Sequence, residues 1–360
     1  MNRPTADPPA TRRAGLVGVA VLVALGLGAA SSIAGEIPGP GDGARRIARI
    51  EDYAPPEEFV VAGGIKTHYV KKGEAGPAIV LVHGFGSCTY TWRHNIDALA
   101  ARGFRVYAVD VKGFGLTAKP LDGRYDLAAF ADHLLAFLDA LRLERPILVG
   151  NSMGGAIVAR VALLHPDRAS GVVLVAAAPQ NFLARPAARA DRAGPPGWPA
   201  PGTKADGAGM PGPPSAALSL KIRAALTRSL ITRRAVENGL KAAYHDPKFV
   251  TAEGVEVHFR TLFIEGAAEA LLALVDTTPG PAVEAAPPLS SLKPPALIVW
   301  GRHDRVLPVA QADMFARELP AARKVIFEDS GHMPHEEESA AFNALVAEFA
   351  ATAASPPRSR

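Results

Sequence analysis

The chain has 360 residues, 48% of them hydrophobic and 21% charged, which is material for one large core or two smaller ones. With 39 Lys and Arg against 35 Asp and Glu, the net charge is +4. That balance, without a basic stripe interleaved with aromatics, argues against nucleic acid as a partner. The single cysteine, Cys88, rules out an internal disulfide framework and a cysteine-based zinc site.

Arg3, Arg12 and Arg13 precede an uncharged run from Ala14 to Gly35. Positive charge ahead of an apolar segment favours an N-inside orientation with the rest of the chain exported. A cleaved signal peptide fits the basic start and the small residues near Ala30 to Ala34. An uncleaved membrane anchor fits the length, since about 20 apolar residues span a bilayer, and we take it as the expectation for residues 1–35. Residues 36–56 then form a Pro/Gly-rich charged linker. The domain behind it is expected on the periplasmic or extracellular side.

Strands are expected at Glu58–Val61 and Ile65–Val70 around Gly63-Gly64, then at Ala78–Val82. A Gly-rich loop, His83 to Ser87, leads to helical spacing from Tyr90 to Ala101. The strand Arg105–Val109 ends in Asp110. Asp126 reads as an N-cap for a helix that turns Phe130, Leu134, Phe137, Leu138 and Leu141 inward. The strand Ile147–Val149, a helix from Ala156 to Leu164, and the strand Gly171–Ala176 follow. Strands alternating with helices mean a mostly parallel sheet of about eight strands with helices on both faces.

The alternation stops after Pro179. Residues 184–217 are rich in Pro, Gly and Ala and read as a mobile loop. Ser219–Tyr244 and Thr251–Val275 read as two helices, followed by a Pro-rich stretch, Thr277 to Pro295. The α/β pattern resumes with strand Ala296–Trp300, helix Val309–Leu319, strand Lys324–Phe327 and helix Glu337–Ala350. The expected organisation is therefore a core of residues 57–179 and 296–350, a helical cap insertion at 180–295, and a disordered tail at 351–360. An insertion at that point would lie over the strands' C-terminal ends, where ligands bind in such sheets.

One stretch organises the chemistry. Gly150-Asn151-Ser152-Met153-Gly154 is G-x-S-x-G between an apolar strand and a helix, the setting in which a serine sits on a sharp turn as a nucleophile. A serine hydroxyl needs a base, and the base needs an orienting acid. Asp304, after the strand Ala296–Trp300, and His332, after Lys324–Phe327, supply them in the order Ser, Asp, His. The oxyanion donors are expected to be the backbone N–H groups of Met153 and Phe85. His335 opens an acidic helix start and reads as a surface residue. Asp110 reads as part of a structural turn, His83 as a brace for its loop, and Cys88 as a small buried side chain. His303 beside Asp304 has no third ligand at metal spacing, so no metal is expected.

On these residues the sequence resembles the α/β-hydrolase superfamily, in its lidded branch of esterases, epoxide hydrolases and carbon–carbon bond hydrolases. The stretches that carry the likeness are His83-Gly84-Phe85-Gly86, Asp110 to Gly115, Gly150 to Gly155, His165 to Arg168, Gly301 to Val306 and Gly331-His332. The resemblance implies the α/β-hydrolase fold, a mechanism without cofactors, and Ser152, Asp304 and His332 as catalytic triad. Epoxide hydrolases and haloalkane dehalogenases of the superfamily carry Asp at the elbow, and Ser152 argues against both. The expected activity is cleavage of a small-molecule carboxylic ester through an acyl-enzyme. Carbon–carbon cleavage of a vinylogous diketone, cofactor-free perhydrolysis, and ligand binding without catalysis stay open.

Overall fold

The computed structural model describes residues 58–122, 124–181, 216–275 and 286–354. The expected N-terminal segment and linker, most of the Pro/Gly-rich loop, part of the second Pro-rich stretch and the end of the tail lie outside them.

Eight strands form one sheet. They are β1 (Glu58–Ala62), β2 (Ile65–Lys72), β3 (Ala78–Val82), β4 (Arg105–Val109), β5 (Ile147–Asn151), β6 (Gly171–Val175), β7 (Ala296–Gly301) and β8 (Arg323–Phe327). Their order is β1-β2-β4-β3-β5-β6-β7-β8. The hairpin β1–β2 pairs antiparallel with β4, and all strands from β4 to β8 in that order are parallel. Parallel strands need crossovers, and helices provide them. Among these are α1 (Ile96–Ala100), α2 (Leu127–Ala140), α3 (Met153–Leu164) and α8 (Ala310–Glu318), while α9 (Pro334–Glu337) and α10 (Ser339–Ala353) follow the last strand.

The central strands are apolar throughout because both faces are covered. In β3, Val80 and Val82 belong to the core beside α2 and α3, while Ile79 and Leu81 belong to the core beside Trp92 and Phe342. All four are fully buried. Asp126 caps α2 as expected, its carboxylate accepting from Ala129 N–H at 2.8 Å.

Among the described residues between β6 and β7 stand four α-helices: α4 (Ala216–Leu230), α5 (Arg233–Ala243), α6 (Ala252–Thr261) and α7 (Ala267–Val275). The sequence reading had two. The first break is at Thr232, whose hydroxyl accepts from Ala235 N–H at 3.1 Å and starts α5 afresh. The second is at Gly266, where φ is +84° and a Cβ would press on Lys119. Apolar spacing continued through both points, so periodicity alone could not register the caps. The segment Tyr90–Ala101 likewise divides into a 3-10 turn, Thr89–Trp92, and the short α1. The last helix divides at Glu338.

Candidate active site

Ser152 joins β5 to α3 with φ +54° and ψ −118°, a conformation that costs a non-glycine residue roughly 1–3 kcal/mol. The turn is held in place by its neighbours. Ser152 N–H donates to Val175 C=O at 2.9 Å, and Ser152 C=O accepts from Ala178 N–H at 2.9 Å. Gly154 lies so close to β3 that a Cβ would overlap the Val82 carbonyl. The spacing G-x-S-x-G is thus a packing requirement of strand against helix. Met153 is the first residue of α3, so its N–H has no intrahelical acceptor and sits at the positive end of the helix dipole. Its side chain is buried in the core.

Asp304 and His332 are brought together from the loops after β7 and β8. His332 Nδ1 and Asp304 Oδ2 are 2.8 Å apart. The other carboxylate oxygen accepts from Val306 and Leu307 N–H, both at 2.8 Å. These backbone donors fix the carboxylate in place and aim its other oxygen at the imidazole. Nδ1 therefore carries the proton that Asp304 accepts, and Nε2 is left as the acceptor. The backbone of His332 is held on both sides: its N–H donates to Ala243 C=O of the inserted helices at 2.7 Å, and its C=O accepts from Asn151 Nδ2 at 3.1 Å. Asn151, the residue before Ser152, thus ties the histidine loop to the end of β5, a role that gave no sequence signal.

Ser152 and His332 line one cavity of about 210 Å³ under the inserted helices. Phe85 lines it too, from the loop after β3, and the ring of Phe85 stands edge-on to Phe114 at 5.8 Å. The remaining wall is mostly apolar, with Val236, Leu240, Leu271 and Met333 among its members. Its other polar side chains are Ser87, Asn151, Arg305 and His258. His258 comes from α6. It was not singled out in the sequence because it lies far from every motif, within an ordinary amphipathic helix.

The decoys resolve by burial. His335 is a correction: it is fully buried, its ring tilted against Trp92 with centroids 4.3 Å apart, and its Nε2 lies 3.0 Å from the Thr91 hydroxyl. Burial holds its pKa well below the ordinary value. The neighbouring Glu336 is buried as well, paired with Arg93 and Thr91. The charged run that suggested a surface is a buried network behind the histidine loop, and only tertiary packing could say so. Asp110 is a structural acid: it accepts from Thr89 N–H at 2.6 Å and Leu116 N–H at 2.7 Å, and pairs with His68 at 2.7 Å. His83 accepts from Val111 N–H at 3.0 Å and donates to Gly84 C=O at 2.7 Å, bracing the loop that carries Phe85. Cys88 is buried, and burial pushes its thiol pKa up, so it is not a thiolate. Among the described residues no cluster of His, Cys, Asp and Glu is built to hold a metal ion.

The chain belongs to the alpha/beta hydrolase family, whose model matches residues 77–339. Within that family, it is 27% identical to 2-hydroxymuconate semialdehyde hydrolase of Pseudomonas putida, over 82% of this chain and 94% of that one. It is 30% identical to the dihydrolipoyllysine-residue acetyltransferase component of the acetoin cleaving system of Pseudomonas putida, over 82% of this chain and 69% of the relative. Among solved structures, a serine hydrolase involved in carbazole degradation superposes with a TM-score of 0.62 at 26% identity, covering 82% of this chain and 98% of that one.

Proposed function

We propose that the protein is a serine hydrolase that cleaves carboxylic esters through an acyl-enzyme. The observation that carries the proposal is that Ser152, on its strained turn, opens onto the same cavity as the His332–Asp304 pair. In this reading Ser152 Oγ attacks the ester carbonyl as His332 Nε2 takes its proton. Asp304 keeps the imidazole in the required tautomer and stabilises the imidazolium. The N–H groups of Met153 and Phe85 hold the oxyanion. His332 returns the proton to the leaving alkoxide, and water, activated by the same histidine, releases the acid. The apolar wall suits an acyl or alcohol group with little charge.

A fluorophosphonate probe tests this directly. Wild-type protein should be labelled at Ser152, and Ser152→Ala should not be labelled. Equal labelling of both would end the assignment.

A second reading is hydrolysis of a carbon–carbon bond in a vinylogous diketone. The Gly150-Asn151-Ser152-Met153-Gly154-Gly155 elbow and the likeness to 2-hydroxymuconate semialdehyde hydrolase favour it. Met333, where those hydrolases usually carry a bulky aromatic after the histidine, favours the ester. Turnover of p-nitrophenyl esters against a ring-fission dienoate discriminates the two. We further propose that residues 1–35 anchor the enzyme in a membrane with its catalytic part on the outer side, and that residues 180–295 act as its cap. Among the described residues no helix is long and apolar enough to cross a membrane. N-terminal sequencing of the mature protein distinguishes an anchor from a cleaved signal.

A further inference from the structure

His258, from α6, lines the cavity wall, and the ester mechanism leaves it unused. It is buried, and its Nδ1 lies 2.8 Å from Gly254 C=O, one turn back along α6. A carbonyl can only accept, so Nδ1 carries the proton and Nε2 is an acceptor. The ring of Tyr90 stands edge-on to it at 6.2 Å and fixes its plane. Nε2 faces the hydroxyl of Ser87 at 3.3 Å. That is long for an O–H···N bond, whose usual separation is nearer that of other hydroxyl bonds, about 2.8 Å. A basic nitrogen in an apolar wall is therefore only loosely satisfied. Burial also lowers the pKa of this histidine, which keeps it neutral and accepting.

We propose that His258 Nε2 is a substrate-recognition point. It accepts a hydrogen bond from a hydroxyl or amide N–H on the otherwise apolar acyl or alcohol group of the ester, in place of the Ser87 hydroxyl. The enzyme thus prefers esters that carry one such donor over their deoxy counterparts. The inference rests on the ester reading for its kinetic form, but its binding form stands apart from it.

The presence of Ser87 sets the size of the effect. With a deoxy ester bound, Ser87 still satisfies Nε2, and a substrate hydroxyl only exchanges one donor for another there, so the preference in wild type is below roughly tenfold. Removing the hydroxyl by Ser87→Ala leaves Nε2 orphaned whenever a deoxy ester fills the cavity and expels water. Discrimination then grows to on the order of a hundredfold. His258→Phe removes the acceptor, and the preference collapses toward unity. His258→Gln, which keeps an acceptor oxygen, restores part of it.

The test uses matched hydroxy and deoxy p-nitrophenyl and alkyl esters, with the hydroxyl at successive carbons of the acyl or the alcohol group. The readouts are kcat/KM and, independently of turnover, equilibrium binding of the same pairs to Ser152→Ala. The expected pattern is a hydroxyl preference that rises in Ser87→Ala and vanishes in His258→Phe. No preference in Ser87→Ala for any pair, or a His258→Phe that slows both members equally, overturns the proposal and leaves His258 as a brace of the loop. Preferential binding of the hydroxy member without ester turnover would sustain this inference and defeat the ester reading. Ester turnover without the preference would do the reverse.

Discussion

The floor and the roof of the cavity are built by different means. The floor, at the ends of the parallel strands, consists of groups held by several backbone hydrogen bonds each. Ser152, Asp304 and His332 all have such restraints, and Gly154 permits the contact beneath them. The roof, from α4 to α7, holds itself together with a small cluster, Ile231, Val236, Phe259 and Phe263. Ion pairs join its helices, Arg228 to Glu269 and Arg233 to Glu256. Reactivity therefore belongs to the rigid part, and substrate shape to the part with a modest core. Several variants would sharpen or break that contrast.

The largest effects should come from the floor. Asp304→Asn removes the anion and frees the imidazole to take the wrong tautomer, so kcat for an activated ester should fall by roughly three to four orders of magnitude. The folded stability should change little by comparison. Loss below tenfold would show that Asp304 does not orient the base.

Acid should separate the two regions next. Beneath the floor, His133 is buried with its pKa lowered to about 3, accepting from Lys112 N–H at 3.3 Å and facing the Thr67 hydroxyl at 2.8 Å. In the unfolded chain it binds a proton near pH 6.5, so its contribution to stability is lost as pH falls from about 6.5 toward 3. In the roof, Arg233 and Arg260 lower the pKa of Glu256 to about 2. That contribution is present above the unfolded value of 4.5 and is lost only as pH falls toward 2. Across pH 6.5 to 4.5, His133→Gln should flatten the stability curve by about 1.4 kcal/mol per pH unit at most, and Glu256→Gln should not alter its slope. Denaturant titration at a series of pH values measures both. An unchanged slope in His133→Gln would refute the buried neutral histidine.

At the seam, Glu337 accepts from Gly331 N–H at 2.7 Å with one oxygen, and from His245 and Asp246 N–H at 2.7 and 3.0 Å with the other. It fastens the roof to the loop that carries His332. Glu337→Gln keeps the shape but replaces one acceptor with a donor facing N–H groups. A rise in KM of about tenfold with a smaller fall in kcat is expected, since one or two hydrogen bonds of about 1 kcal/mol each are at stake. A fall in kcat alone would place Glu337 with the floor.

The smallest effect should be in the roof itself. The Arg233–Glu256 pair is partly exposed on both sides, so Arg233→Ala should cost no more than about 1 kcal/mol in unfolding free energy. A larger loss would mean that the roof depends on this pair more than on its apolar cluster.

The sequence alone determined the parallel sheet. Its buried strands are continuous apolar runs separated by helical spacing, and that pattern needs no long-range knowledge to read. It also marked Ser152, Asp304 and His332, because a strained turn demands small neighbours and a strand end offers a loop for an acid or a base. Tertiary structure decided what depends on distant contacts. It buried His335 and Glu336, whose charged run looks like a surface until Trp92 and Arg93 are packed against it. It broke the roof helices at Thr232 and Gly266, where a cap and a close approach to Lys119 override the continuing periodicity. It also brought His258 to Ser87, 171 residues away in the chain, a meeting that no local pattern encodes because it arises only when the inserted helices close over the strands.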